Sequence, residues 1–171
     1  ATGSIEVTGA ATNLTISGAT TNTTGRLTKL GDGTLTLTGT NLNSGVTTIR
    51  AGTLQVGNGG TTGSLGAGGV TNLGRLVFNR SDAITVSNVV SSFGELVKEG
   101  AGTTTLTAAN TYTGATTINA GTLALGTANE RISNASAVTV AAGATFNLGG
   151  FSETIGSLAG AGTVINNGGA A

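Results

Sequence analysis

Residues 25–57 read GRLTKLGDGTLTLTGTNLNSGVTTIRAGTLQVG, and residues 94–126 read GELVKEGAGTTTLTAANTYTGATTINAGTLALG. The two stretches align without a gap, Gly25 with Gly94 through to Gly57 with Gly126, and 19 of the 33 aligned positions are identical. Shared composition does not produce that degree of identity, so the chain contains a true internal repeat. A fixed period of this kind is typical of a repetitive architecture in which each unit packs on its neighbours.

Each copy of the repeat consists of short strands that are separated by glycines. The segment Thr34 to Thr38 alternates polar and apolar residues, which predicts a strand with Leu35 and Leu37 on one face. Glycines between such segments permit the turns. The recurring positions that we expect to build the interior and the turns are Leu27, Lys29, Gly31, Gly33, Leu37, Ile49, Gly52 and Leu54 in the first copy, and Leu96, Lys98, Gly100, Gly102, Leu106, Ile118, Gly121 and Leu123 in the second.

The composition of the chain favours strands and excludes several classes of function. Hydrophobic residues make up 37%, charged residues only 8%, and the formal net charge is zero. Abundant Thr, Val and Ile favour extended backbone. The scattered charges leave no basic patch for nucleic acid. The absence of Cys and His removes disulfides, most transition-metal ligands and the usual nucleophile–base pairs, so we expect no cofactor and no enzyme.

The repeat predicts an all-β fold: a right-handed single-stranded parallel β-helix, or β-solenoid, that runs continuously over residues 1–171. The spacing between the two copies divides into three turns of roughly 23 residues each, a usual coil length for such a fold. The whole chain then gives about seven coils and a rod on the order of 35 Å long. Residues 1–24, with weak alternation at Ile5, Val7, Leu14 and Ile16, are expected to form a more divergent coil.

Both copies resemble the autotransporter-associated β-strand repeat, also called the passenger-associated transport repeat. The matching core is Leu-x-Lys-x-Gly-x-Gly-Thr-x-Thr-Leu-Thr, then Asn, then Gly-x-Thr-Thr-Ile-x-Ala-Gly-Thr-Leu, at residues 27–54 and 96–123. The resemblance extends over about residues 25–166. It implies a passenger exported to the surface of a Gram-negative bacterium, with flanking β-helix coils and a C-terminal translocator barrel as partners in the parent chain.

No leader and no apolar run long enough for a membrane span is present, so we expect targeting elements outside this stretch and no membrane insertion by it. The function predicted from the sequence is a stalk that supports export and display. Two alternatives remain open: a self-associating fibre or aggregation module, and, more weakly, a polysaccharide-acting β-helix enzyme. The dispersed acids argue against the enzyme.

Several side chains that could suggest chemistry have a structural interpretation. Lys29 and Lys98 are expected at coil corners with their ammonium groups in water. Glu95, Lys98 and Glu99 form a close trio that we interpret as a solvated corner. The segment Gly31-Asp32-Gly33 is expected to be a turn without calcium, because the second copy has Ala in place of the Asp.

Two further binding functions find little support in the sequence. The Thr-x-Thr-x-Thr segment at residues 34–38 suggests ice binding, but the other coils do not repeat it at one place. The aromatic residues do not form the stacked platform that sugar or single-strand binding favours. We therefore interpret Phe78, Phe93, Phe146 and Phe151 as core residues.

Overall fold

A computed structural model describes residues 2–20 and 24–168, and the described residues form strands and turns with no helix. None of them could therefore cross a membrane as a helix. The strands are β1 (Thr2–Glu6), β2 (Asn13–Ile16), β3 (Arg26–Leu30), β4 (Thr34–Leu37), β5 (Thr47–Ile49), β6 (Thr53–Val56), β7 (Val70–Asn72), β8 (Arg75–Phe78), β9 (Ile84–Val86), β10 (Val90–Ser91), β11 (Glu95–Lys98), β12 (Thr103–Leu106), β13 (Thr116–Ile118), β14 (Thr122–Leu125), β15 (Ala137–Val140), β16 (Thr145–Asn147), β17 (Ser157–Gly160) and β18 (Thr163–Ile165).

The strands assemble into three parallel sheets that wrap around one axis. Sheet 1 has the order β1-β3-β5-β7-β10, sheet 2 the order β17-β15-β13-β11-β8-β6-β4-β2, and sheet 3 the order β18-β16-β14-β12-β9. Neighbours within a sheet come from successive turns of the chain, so each turn is one rung of a β-solenoid. The predicted parallel β-solenoid is confirmed, with eight rungs along sheet 2 rather than about seven coils.

The predicted turn length is wrong, because the turns along sheet 2 are shorter than expected and unequal. One turn carries the chain from Leu35 to Leu54, and the next carries it from Leu54 to Leu76. Three turns therefore do not reach from one copy of the repeat to the other. Starting at Leu27 on sheet 1, they end at Val90 on the same sheet, and the chain must still round a corner to reach Leu96 on sheet 2.

The two copies of the repeat consequently lie on different sides of the solenoid. In the first copy β3 and β5 belong to sheet 1, whereas the equivalent β11 and β13 belong to sheet 2. The strand β4 of the first copy is in sheet 2, and its equivalent β12 is in sheet 3. One repeat unit thus fits more than one side of the solenoid, because the corners of this rod offer it similar neighbours.

Aliphatic side chains stack into columns that fill the interior. On sheet 2 one column runs through Leu35, Leu54, Leu76 and Leu96, all of them fully buried. At the two ends of the described rod the same columns lack a covering rung, and Leu14 and Leu158 are 42% and 53% exposed. The interior is therefore a single continuous core, and each inner rung depends on the rungs on either side of it.

Candidate functional site

The repeat places its lysine inside the rod. Lys29 and Lys98 are both fully buried, and their side chains continue inward columns next to Ile49 and Ile118. The predicted placement of their ammonium groups in water is wrong. Because Lys29 and Lys98 lie at or next to the end of a strand, an inward-facing stem places the charged end beneath the turn that follows.

Backbone carbonyl groups of two rungs surround each ammonium group. Nζ of Lys29 donates to the oxygens of Leu30 at 2.8 Å, Gly31 at 2.7 Å and Ala51 at 3.3 Å. Carbonyl groups of its own corner supply the first two acceptors, and the following rung supplies the third. Each of these bonds has a charged donor, and such bonds are stronger than neutral ones.

The second copy repeats this arrangement at the end of a strand of sheet 2 instead of sheet 1. Nζ of Lys98 donates to the oxygen of Gly100 and, at 3.2 Å, to the oxygen of Ala120 on the next rung. Ala51 and Ala120 occupy equivalent positions of the repeat. The motif Lys-x-Gly and the later Ala-Gly are thus the two halves of one contact, which joins consecutive rungs.

Burial lowers the pKa of both lysines from the ordinary value of 10.5. Asp32 beside Lys29 and Glu99 beside Lys98 oppose this shift through their negative charge. The trio Glu95, Lys98 and Glu99 is therefore not a wholly solvated corner. Glu95 is exposed and Lys98 is enclosed, while Arg75 lies 3.8 Å from Glu95 and 3.3 Å from Glu99 in ion pairs on the outer surface.

The motif glycines allow the rungs to approach each other closely at the corners. Gly52 and Gly121 both have φ of +64°, a conformation that residues with a side chain rarely adopt. A Cβ atom at Gly52 would lie 2.5 Å from the oxygen of Gly33 on the preceding rung. Gly33 and Gly102 lack positive φ, but a Cβ atom at either would collide with a carbonyl oxygen of the preceding rung. These two are therefore required by close packing.

Polar side chains join the rungs where regular strands are missing, and no role was predicted for them from the sequence. Nδ2 of Asn41 donates to the oxygen of Ser64 at 2.5 Å, and the backbone N–H of Asn41 donates to the hydroxyl of Ser64 at 2.8 Å. The amide of Asn110 accepts from the N–H of Val90 at 2.8 Å and donates to the oxygen of Arg131 at 2.7 Å. The identity of Asn41 and Asn110 in the repeat was the available signal.

A carboxylate continues this side-chain ladder on the next rungs. The two oxygens of Glu153 accept the backbone N–H groups of Arg131 at 2.8 Å and of Ile132 at 2.6 Å. Partial burial raises the pKa of Glu153, although these two hydrogen bonds oppose the shift. Nearby, Tyr112 is fully buried, and its hydroxyl lies 2.7 Å from the hydroxyl of Thr116.

The remaining predictions about side chains have mixed outcomes. Phe78 and Phe146 are core residues as predicted, but Phe93 is 66% exposed and Phe151 is only half-buried. The outer face of sheet 1 carries one column of threonines and serines. It lacks the second, parallel column that a Thr-x-Thr segment like residues 34–38 would give if it recurred in every rung for ice binding. In the described part of the chain, no three or more His, Cys, Asp or Glu side chains come together as metal ligands.

Comparisons with known proteins match these repeated corners. The family model of the passenger-associated transport repeat matches residues 27–56 and 96–125. The adhesin BmaC autotransporter of Brucella suis biovar 1 (strain 1330) is 48% identical over 68 residues, which are 40% of this chain and 2% of that protein. The chain carries two copies of the passenger-associated transport repeat. No solved structure matches it.

Each match to the passenger repeat contains the complete lysine corner. The first match includes Lys29 and Ala51, and the second includes Lys98 and Ala120. The matched unit is therefore longer than one turn of the rod, since the lysine and the alanine that accepts its hydrogen bond lie on consecutive rungs. The repeat therefore includes a contact between turns as well as the turn itself.

Proposed function

We propose that this passenger segment is a non-catalytic, self-supporting rod that carries other parts of its parent chain away from the surface of a Gram-negative bacterium. The rod also assists export, because it folds rung after rung outside the cell. The observation that carries the proposal is the lysine corner. The ammonium group of Lys29 gains its third acceptor only when the following rung brings the oxygen of Ala51 to it. Such a corner thus gains a charge-assisted hydrogen bond when the next rung is added.

The similarity to the Brucella relative, which is an adhesin autotransporter, supports a surface location. The chain spans only 2% of the length of that relative, so the similarity does not identify the partners of the whole parent protein. We propose that these partners are flanking coils of the same solenoid and a C-terminal translocator in the parent chain. The uncovered Leu14 and Leu158 at the two end rungs are apolar surfaces on which further coils can stack.

Deletion of one whole rung in the full-length parent tests the proposal. Removal of residues 76–95 joins Arg75 to Leu96, and because Leu96 stacks on Leu76, the rungs above and below stay in register. Removal of residues 76–85 takes out about half a turn and breaks the register. We expect surface display, measured by antibody binding to intact cells, to survive the first deletion and to be lost with the second.

Equal display of both variants would contradict a role for the continuous rod in export. Loss of display with both variants would show that this particular stretch acts through its own sequence instead. Protease protection in the periplasm distinguishes a failure to export from a failure to express. Circular dichroism of the purified segments confirms whether the whole-rung deletion keeps its strand content.

Self-association is a second candidate function, and one specific observation favours it. Val89 and Phe93, which are 47% and 66% exposed, flank the short strand β10 at one edge of sheet 1. Apolar side chains at this exposure favour contact with another surface. Light scattering that rises with concentration, and that Phe93→Glu abolishes while Thr117→Glu on sheet 2 does not, would support side-by-side pairing of rods. Scattering independent of concentration would exclude it.

A further inference from the structure

A polar groove lies on the outer face of sheet 2, across the first four rungs. Its volume is about 330 Å³, and the residues that line it include Asn13, Thr15, Thr36, Gln55, Asn58 and Asn79. Thr15, Thr36 and Gln55 are consecutive members of one outward column, so they form the floor. The column then continues as Val77 and Val97, which ends the polar floor.

The side chains that line the groove keep free hydrogen-bonding groups. Within residues 2–20 and 24–168, the side chains of Asn13, Thr15, Thr36 and Asn79 make no hydrogen bond to the protein. Gln55 uses its NH₂ group, which donates to the oxygen of Gly57 at 2.9 Å, and its Oε1 remains available. Amides and hydroxyls supply donors and acceptors together. A ligand that matches them must itself carry both kinds of group.

The wall of the groove is held in place. Asn58 belongs to the segment 57–63, and the guanidinium of Arg80 donates to the carbonyl oxygens of Thr61 and Gly63 in that segment. Asp82 fixes the same guanidinium through two bonds of 2.9 and 2.7 Å. A wall that is ordered before the ligand arrives lowers the entropic cost of binding. The groove is therefore a preformed surface.

The charge pattern indicates an uncharged ligand. All of the described side chains that line the groove are neutral. The nearest charged column on this face begins with Arg75, whose guanidinium is already paired with Glu95 and Glu99. A phosphate or a carboxylate would thus find no free cation among the residues that line the groove. A neutral molecule with many hydroxyl groups satisfies the amides and hydroxyls without burying a charge.

We propose that this groove binds a short stretch of an uncharged glycan. Three floor rungs about 4.8 Å apart give a length on the order of 10 Å, which accommodates a short saccharide. No described residue of the lining has an aromatic ring, so binding relies on hydrogen bonds instead of stacking. A single groove then binds weakly, and contact with a surface needs several such segments at once. The groove adds an adhesive role to the mechanical role of the rod.

Titration of the full chain with cellobiose, maltose, lactose and chitobiose tests this proposal. The readout is the set of side-chain amide signals of Asn13, Gln55, Asn58 and Asn79 in nitrogen–proton correlation spectra. At least one disaccharide is expected to shift these signals in a saturable manner. Asn79→Asp keeps the shape of the side chain but removes its donors and adds a charge, so binding should weaken about tenfold. Asn119→Asp, two rungs further along the same outer column, should leave it unchanged.

Three outcomes would overturn the proposal. These are no saturable shift with any of the four disaccharides, an equal loss with Asn79→Asp and Asn119→Asp, and shifts caused only by a heparin disaccharide or by an extended Thr- and Asn-rich peptide. Circular dichroism confirms the fold of each variant. Should Asn79→Asp fail to fold, Gln55→Ala with Thr117→Ala as its control tests the same floor column.

Discussion

The only two lysines of the chain are both enclosed in the rod, which is unusual because lysine is among the residues least often buried. Each loses its hydration when its corner closes and regains hydrogen bonds from backbone carbonyl groups. Removal of the ammonium group would leave those carbonyl groups without this partner. We therefore regard Lys29 and Lys98 as structural residues whose charge is satisfied locally.

We predict that Lys29 and Lys98 resist amine acylation in the folded chain, because burial keeps both ammonium groups from the reagent. Mass spectrometry after brief treatment with an N-hydroxysuccinimide ester measures the modification. Arg50→Lys supplies a control, because position 50 is exposed and its lysine should react quickly. Reaction of Lys98 as fast as the introduced lysine would contradict the enclosed position.

Thr104 illustrates the opposite situation, a buried polar atom without a partner. Its hydroxyl is fully buried and makes no hydrogen bond within the described part of the chain, and the first copy has Leu35 at this position. Thr104→Val replaces the hydroxyl by a methyl group of similar size. We predict an increase of about 1 kcal/mol in the free energy of unfolding, since the desolvation cost disappears.

Chemical denaturation measures this change. Thr105→Val on the same strand faces outward and should leave the free energy of unfolding nearly constant. A decrease in stability with Thr104→Val would indicate that the hydroxyl has a partner, such as an internal water molecule. Thr47, whose hydroxyl is likewise buried without a partner among the described residues, provides an independent second site for the same test.

The half-buried carboxylate of Glu153 makes stability depend on pH. Because burial raises its pKa in the folded state above the ordinary value of 4.5, the folded state binds a proton more tightly than the unfolded state. This contribution is fully present below pH 4.5 and is lost as the pH rises through the folded pKa. Glu130 and Arg131 lie nearby and act in opposite directions.

We predict that acidification from neutral pH towards pH 4.5 stabilises the wild type relative to Glu153→Gln, whose side chain does not titrate. The measurement is the difference between the two free energies of unfolding, obtained by denaturation at several pH values. Glu6→Gln is the control for general effects of lost charge, because Glu6 is exposed. A difference that stays constant, or that moves in favour of the glutamine variant at low pH, would contradict the raised pKa.

At the scale of single elements, the corners tolerate substitutions less well than the strands. A corner glycine can be needed for its φ angle, for close packing, or for both, and this chain offers a matched series. Gly121 combines φ of +64° with carbonyl oxygens at the place of a Cβ atom. Gly143 has φ of +83° with no described residue close to a Cβ atom there, and Gly18 has neither constraint within the described part of the chain.

Alanine substitution of these three glycines should therefore destabilise the chain in graded fashion. We expect Gly121→Ala to lower the free energy of unfolding by more than about 2 kcal/mol, Gly143→Ala by about 1 kcal/mol, and Gly18→Ala to have no effect or to stabilise slightly. Thermal or chemical denaturation gives the three values. Equal effects at positions 121 and 143 would show that the rungs move apart without cost.

The strands themselves were predictable from the sequence, whereas the corners and the assembly were not. Alternation at Leu35 and Leu37 identified a strand and its inner face, because strand geometry fixes which neighbours share a face. The burial of Lys98 was missed because it depends on the carbonyl groups of another rung. Likewise the exposure of Phe93 follows from its position outside a sheet.

The spacing between the two copies shows why the number of rungs could not be obtained from the repeat. Periodicity gives the distance between equivalent motifs, but it does not say whether they lie above one another. Here the second copy of the motif begins on the neighbouring sheet, after more than three turns. Division of the spacing between the copies by three therefore gave turns that are too long. The side-chain ladder of Asn110 and Glu153 was also missed: Asn110 recurs in the repeat as Asn41, but its partners belong to other rungs, which the repeat does not identify.

At the scale of the whole molecule, stability resides in contacts between successive rungs. Sheet 2 has eight strands, whereas sheets 1 and 3 each have five, among the residues that the structure describes. The ends differ from the middle: in the last described rung all of β17 is exposed, and Leu158 and Val164 are 53% and 42% exposed. Rods of this kind open from their ends, because an end rung has one neighbour where an inner rung has two.

We predict a gradient of hydrogen exchange along the axis. Amide groups of β8 and β11, at the centre of sheet 2, should exchange most slowly, and those of β17 and β18 most rapidly. Mass spectrometry of peptic fragments measures the rates. Uniform exchange of all rungs would show that the rod unfolds as one unit. Fusion of one further β-solenoid coil after residue 171 should slow exchange in β17.

The displacement of the repeat by one side determines what the surroundings of the rod encounter. Exposed residues of the motif, such as Arg26 in the first copy and its equivalent Glu95 in the second, lie on different sheets and so point in different directions from the axis. The second copy is thus rotated about the axis of the rod relative to the first. A neighbouring molecule that approaches the rod from one side therefore meets the motif residues of one copy and not those of the other.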